Sequence, residues 1–244
     1  MDFVDDNIQY AEVRPNFMQS NQLKLDDGSD TLNNERIMEI LDDGVKSTMA
    51  EIKQEGRYFG DMKVIYCTPR SFNNKTTKAS LDECIKLKKR FSHLICGTSR
   101  TSLWTGARTD ESTGFDLVGH EEMGSELSTF IPEFLEFRKQ CNEQNLDIPF
   151  LFHCGETLQV GDKVDGNLFD AVLLNCKRIG HGYALARHPL LMQMFKEKNI
   201  AIESCPISNE ILGLTSVMAG HHLPILLAND VPCTINSDNA TFYQ

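Results

Sequence analysis

Among the 244 residues of this chain, His153, Glu156, His181 and Asp238 have the types and spacing that could do chemistry. His153 ends an apolar run of strand length, Pro149-Phe150-Leu151-Phe152, and Glu156 follows in His153-Cys154-Gly155-Glu156. A buried strand that stops in an imidazole followed by a carboxylate brings a metal-binding nitrogen and a proton carrier to one mouth of a sheet. Further strand-like runs end in Gly180-His181-Gly182, Glu203-Ser204-Cys205-Pro206 and Ser237-Asp238-Asn239. One histidine at a strand end is usually structural, but a series of such ends in order calls for a shared site. Hydrolytic zinc sites need three or four N/O ligands and an open position for water. His153 and Asp238 are the metal-ligand candidates. Glu156 is close enough along the chain to share the site as a proton donor without binding the metal. His181 lies between glycines that allow a substrate or a metal close to the backbone.

The elements that must position these residues alternate. Strands are expected over 7–15, 62–67, 149–154, 178–182, 200–205 and 232–237. One interrupted strand joins 93–97 to 114–119. Helices are expected over 32–55, with Thr31 as its cap, and over 80–91, 126–140, 167–176, 189–198, 207–214 and 223–228. Pro132 either bends the 126–140 helix or moves its start one turn later. Strands alternating with helices imply parallel βα units with right-handed crossovers. Chemistry at successive C-terminal strand ends is the habit of the (β/α)8 TIM-type barrel, of which seven of eight units are visible. Residues 1–244 read as one incomplete barrel domain. The stretch 98–113 is polar, carries the only tryptophan, Trp104, and splits a credible buried strand. It reads as an insertion foreign to the fold, with a lid as the other reading.

Composition narrows the classes. A net charge of −11 argues against nucleic acid and against an anionic membrane surface as partners. No apolar run approaches the roughly 18 residues of a membrane span, and the acidic start has no signal-peptide pattern. Eight cysteines without a Cys-x-x-Cys pair read as buried thiols. His188 and the His221-His222 pair read as helix-start and surface residues.

At the site residues the chain resembles the adenosine deaminase family, through His153-Cys154-Gly155-Glu156, Gly180-His181-Gly182, Cys205-Pro206-Ile207-Ser208-Asn209 and Ser237-Asp238. Together with Gly114-Phe115-Asp116-Leu117-Val118-Gly119-His120-Glu121, these look most like the secreted, growth-factor-type branch, the adenosine deaminase 2 group. The resemblance implies Zn²⁺ held by His153 and Asp238, with catalysis by Glu156 and His181. It implies substrate binding by Gly119 and Asn239, and adenosine or 2'-deoxyadenosine as the small-molecule substrate. It also implies an extracellular location and a homodimer at full length. AMP deaminase, with a similar His-Cys-Gly-Glu, is the nearest rival, and a catalytically inactive binding homologue is the other. Two departures stand out. The family has a zinc-binding His-x-His at the end of its first strand, whereas this chain has no His-x-His and its first histidine is His93. The chain therefore reads as a fragment beginning after that strand and lacking the family's C-terminal helical region. Asn239 stands where the family has a second aspartate.

Overall fold

The structure, a computed structural model, describes residues 2–18, 22–95, 100–101, 108–109 and 113–239. In chain order the elements are α1 (Asp2–Asp5), β1 (Tyr10–Val13), α2 (Asn34–Gln54), β2 (Asp61–Val64), β3 (Tyr66–Pro69) and α3 (Asn74–Arg90). Then come β4 (Arg100–Thr101), β5 (Arg108–Thr109), β6 (Phe115–Val118), α4 (Ile131–Glu143), β7 (His153–Cys154), α5 (Asn167–Leu173) and β8 (Arg178–His181). The last are α6 (Pro189–Lys198), β9 (Ala201–Ser204), α7 (Pro206–Ile211), α8 (Leu223–Ala228) and β10 (Cys233–Ile235). The chain divides into two compact units: Met1–Thr68 with Ala79–Phe115 and Gln140–Ile148, and Pro69–Lys78 with Asp116–Lys139 and Pro149–Gln244.

In the first unit β1 and β2 pair in parallel, from Tyr10 opposite Asp61 to Val13 opposite Val64. Helix α2 turns Ile37, Met38 and Ile52 inward. Its cap is Asn33 rather than Thr31, because the Asn33 side chain accepts the Arg36 N–H that the first turn leaves unpaired. Thr31, two residues before that cap, instead forms an isolated antiparallel bridge with Lys24. The strand expected over 62–67 is two strands with Ile65 between them. Around that break the backbone donors alternate sides: Ile65 N–H reaches Val13 O, while Val64 and Tyr66 reach Leu94 O and Gly114 O. The two flanks of the interrupted strand therefore follow one another beside Val64 and Tyr66. Of the stretch between them, only the antiparallel pairing of β4 with β5 and Thr113 are described. The insertion and lid readings of 98–113 otherwise lie outside the described residues, as does Trp104.

The second unit holds a four-stranded parallel sheet in the order β10-β9-β8-β7. The approach to β7 already runs beside β8, since Phe150 O and Phe152 O accept from Lys177 and Gly180. A 3-10 turn over Leu127–Phe130 leads into α4, and Pro132 sits in the first turn of that helix, where its missing N–H costs nothing. The later start of the α-helix is therefore the reading of Pro132 that holds. Phe134 on α4 packs against Phe150 and Phe152, with ring centroids 5.2 and 4.8 Å away, and the Arg138 guanidinium lies 4.4 Å above the Phe150 ring. Truncating this fully buried ring removes both apolar area and packing partners. Phe134→Ala is expected to cost about 3–5 kcal/mol, measured by urea unfolding. A loss below about 1 kcal/mol would contradict this packing.

Candidate active site

The site is built on strand ends of the second unit. Register sets the first contact: His153 lies opposite Gly180, and Cys154 opposite His181. A Cβ at position 180 would come within 3.1 Å of the His153 ring and push the imidazole aside by a few tenths of an ångström, so glycine suits that place. The His153 and His181 rings then stand 5.0 Å apart between centroids.

Asp116, inside β6 and fully buried, holds His153 twice. Its Oδ1 accepts the His153 backbone N–H at 2.9 Å, and its Oδ2 lies 2.8 Å from Nδ1. A carboxylate can only accept, so Nδ1 carries the hydrogen and the ring's lone pair is on Nε2. That is the orientation a metal-binding histidine usually has. The deeply buried Arg70 donates to the carbonyls of His153 at 2.6 Å and Leu117 at 3.2 Å, tying the ends of β6 and β7.

Glu156 follows a turn that Glu121 fixes. The Glu121 carboxylate is 2% exposed and accepts from Gly155 N–H at 3.1 Å, Glu156 N–H at 2.6 Å and Asn167 Nδ2 at 2.7 Å. Burial pushes the Glu121 pKa up, while the Arg70 charge and those three bonds pull it back. Gly155 has φ +75°, which a residue with a Cβ rarely adopts. The turn aims Glu156 Oε1 at His181 Nδ1, 3.1 Å away. Burial raises the Glu156 carboxyl from an ordinary 4.5 to about 7; the charges of Glu121 and Asp238 add to the shift, and those of His153 and Arg70 oppose it.

Nδ1 of His181 also receives the Asn209 amide at 3.3 Å. Asn209 is buried on α7, and its Oδ1 lies 3.0 Å from His221 Nε2. His221 is 7% exposed, so it is not the surface residue expected from sequence. It packs edge-on to Tyr183, and its Nδ1 accepts the Leu223 N–H that opens α8. Asp238 completes the group. Its carboxylate lies within 4.8 Å of ligand atoms of both His181 and Cys205, and these three form a compact set that could itself hold a metal. His181 and Asp238 both have left-handed φ, +63° and +56°. For non-glycine residues this costs of order 1–3 kcal/mol each, and it persists here where the side chains converge.

The structure thus gathers His153, Glu156, His181 and Asp238 in one place. Gly119, with φ +100°, takes its position at the end of β6, and exposed Asn239 follows Asp238 directly. Sequence reasoning assigned no role to Asp116, Glu121 or Arg70, and it missed Cys205 as a neighbour of Asp238. Their signal was present: Asp116 is a charge in the otherwise apolar run Phe115-Asp116-Leu117-Val118, and a buried charge requires partners. The described cysteines are free thiols, six buried and Cys233 half-buried, as the composition suggested.

Comparison with known proteins gives the fold class and the family. The fold is shared with metal-dependent deaminases and amidohydrolases of the α/β TIM-barrel class. An amidohydrolase from Burkholderia ambifaria solved with bound Zn is similar at a TM-score of 0.68 and 14% identity, over 99% of this chain and 57% of that one. The adenosine deaminase family model matches residues 1–244, and the chain belongs to that family. It is 37% identical to an adenosine deaminase of Phlebotomus duboscqi over its whole length, and 31% identical to adenosine deaminase 2-A of Danio rerio over 99% of it. The chain spans 41% and 42% of those two relatives.

The raised Glu156 carboxyl has a consequence for stability. An unfolded chain releases this proton near 4.5, the folded one near 7. Stability attributable to the group therefore falls as pH rises through that window, because the folded state must then bury the charge. Glu156→Gln cannot ionise. In metal-free protein its stability relative to wild type should rise by about 1–3 kcal/mol between pH 5 and pH 8, measured by urea unfolding. An unchanged difference at the two pH values would contradict the shift.

Proposed function

We propose that this chain carries most of the catalytic site of a zinc-dependent deaminase that hydrolyses adenosine and 2'-deoxyadenosine to inosine or 2'-deoxyinosine and ammonia. The observation that carries this reading is the convergence of His153, Glu156, His181 and Asp238 from three strand ends, where burial raises the Glu156 carboxyl.

His153 and Asp238 fit a zinc ion by chemistry: one imidazole whose Nε2 lone pair is set by Asp116, and one carboxylate. They would supply two of the ligands such a site needs, and the family's His-x-His would supply two more. A Zn²⁺ ion held there supplies Lewis acidity that makes water nucleophilic near neutral pH. The chain's own residues do the remaining work. Glu156, protonated near neutral pH, hands its proton to purine N1 and makes C6 electrophilic. His181 orients the attacking oxygen and stabilises its charge. Gly119 offers its backbone N–H to N3, and the Asn239 amide donates to N7. Because an amide cannot switch between donor and anion, Asn239 is expected to bind the transition state less tightly than an acid would. As the water oxygen bonds to C6, one of its protons returns to Glu156 and the other goes to the amino group; the C6–N bond then breaks, and ammonia leaves a C6 carbonyl. The likeness to proteins named adenosine deaminase 2 is the support for an extracellular location, and the homodimer at full length rests on the family resemblance alone.

In the full-length protein, Glu156→Gln should lower kcat by about 10²–10⁴-fold with KM little changed. Adenosine should turn over faster than AMP in an ammonia-release assay. Faster turnover of AMP would point to the rival substrate. A folded, zinc-loaded wild type with no turnover would point to the inactive homologue.

A further inference from the structure

His153 and His181 stand side by side, yet their Nδ1 atoms face partners of opposite kind. The polarity around His181 can be traced from a donor whose direction is fixed. The Leu223 backbone N–H always donates, and its acceptor, 3.0 Å away, is Nδ1 of His221. In neutral His221 the hydrogen therefore sits on Nε2. Burial, and secondarily the charge of His222, lowers the His221 pKa and favours that neutral form. Its Nε2–H then donates to Asn209 Oδ1 at 3.0 Å, which leaves the Asn209 Nδ2 amide pointing at His181 Nδ1, 3.3 Å away. An amide N–H can only donate. His181 Nδ1 is therefore an acceptor, and the hydrogen of the neutral ring is on Nε2.

We propose that Asn209, oriented by His221 and the Leu223 amide, is a positioning residue that holds His181 as the Nε2–H tautomer, the opposite of His153. This inference rests on the deaminase reading for its functional meaning, but not for its geometry. It assigns the two neighbouring histidines different work. His153 has its lone pair on Nε2 and can ligate a metal. His181 presents an N–H at Nε2 and has its only lone pair turned to the amide, so it donates a hydrogen bond to an oxygen and does not ligate. It also accounts for the Glu156 contact. Oε1 faces the same Nδ1 at 3.1 Å, where an ionised carboxylate would be repelled by the ring's lone pair and a protonated Glu156 would not. The buried Asn209 side chain is thus the link by which the start of α8 sets the hydrogen-bond polarity of the site. A wrong imidazole tautomer is known to cost catalysis heavily even where geometry is kept.

The test is the tautomer itself, read by nitrogen-15 NMR of histidine-labelled, metal-free full-length protein, with His181 assigned through His181→Gln. Wild type should show His181 protonated at Nε2 and His153 at Nδ1. Asn209→Asp places an acceptor where the donor was, and should move the His181 hydrogen to Nδ1. The same change should lower kcat by about 10–100-fold, as loss of a supporting hydrogen-bond partner does, with KM changed less than about twofold. A His181 ring protonated at Nδ1 in wild type would overturn the proposal, and this reading does not depend on whether the Asn209 variant folds. The expected tautomers in a protein that does not deaminate adenosine would uphold the positioning and refute the deaminase reading instead.

Discussion

Two buried carboxylates, Asp116 and Glu121, set the constraint on which the site depends. A carboxylate withdrawn from water must have its oxygens hydrogen-bonded or it destabilises the fold by several kcal/mol. Here the donors come almost entirely from the segment that carries the chemistry: His153 N–H and Nδ1 for Asp116, and Gly155 and Glu156 N–H for Glu121. Satisfying the carboxylates and shaping the turn are therefore one event. The buried Arg70 is the counter-charge to Glu121 and the donor to the His153 carbonyl, so one guanidinium both offsets the charge and anchors the strand end. The cost of burying three charges is offset by precise placement of an imidazole and a carboxyl.

The same economy of donors and acceptors separates the two imidazoles. Their rings are close enough that distance alone does not distinguish a ligand from a hydrogen-bond donor. Partner type does. A carboxylate on Nδ1 of His153 and an amide on Nδ1 of His181 put the lone pair and the hydrogen on opposite nitrogens. The raised Glu156 carboxyl belongs to the same arrangement: it faces the nitrogen that already receives the Asn209 amide, a contact that suits a protonated carboxyl rather than a carboxylate. Left-handed backbone at His181 accompanies a buried side chain held by Glu156 and Asn209.

How much of this was legible in the sequence follows from the range of each interaction. Strand ends marked by His153-Cys154-Gly155-Glu156 and Gly180-His181-Gly182 could be read locally, because apolar runs and glycine punctuation identify strand termini. Helix α6 was legible for the same reason, with Pro189 at its start and cationic residues in its last turn. Boundaries were less so: α3 begins at Asn74, well before the expected residue 80, since its first turn is polar and carries no apolar stripe. The supporting groups were hidden. Asp116 reaches His153 across 37 positions and Glu121 reaches Gly155 across 34, and pairings that distant depend on strand register rather than on local pattern. His221 looked like half of an exposed pair because nothing in its own segment announces the buried Asn209 beneath it.

In the proposed function the metal goes to His153 and Asp238 rather than to the compact His181, Cys205 and Asp238 set. Anomalous diffraction at the zinc edge on crystals of the full-length protein tests it most directly. The account predicts one strong peak about 2.0–2.2 Å from both His153 Nε2 and an Asp238 oxygen, with His181 and Cys205 outside bonding distance. A peak bonded to His181 or to the Cys205 sulfur, with His153 uncoordinated, would contradict it.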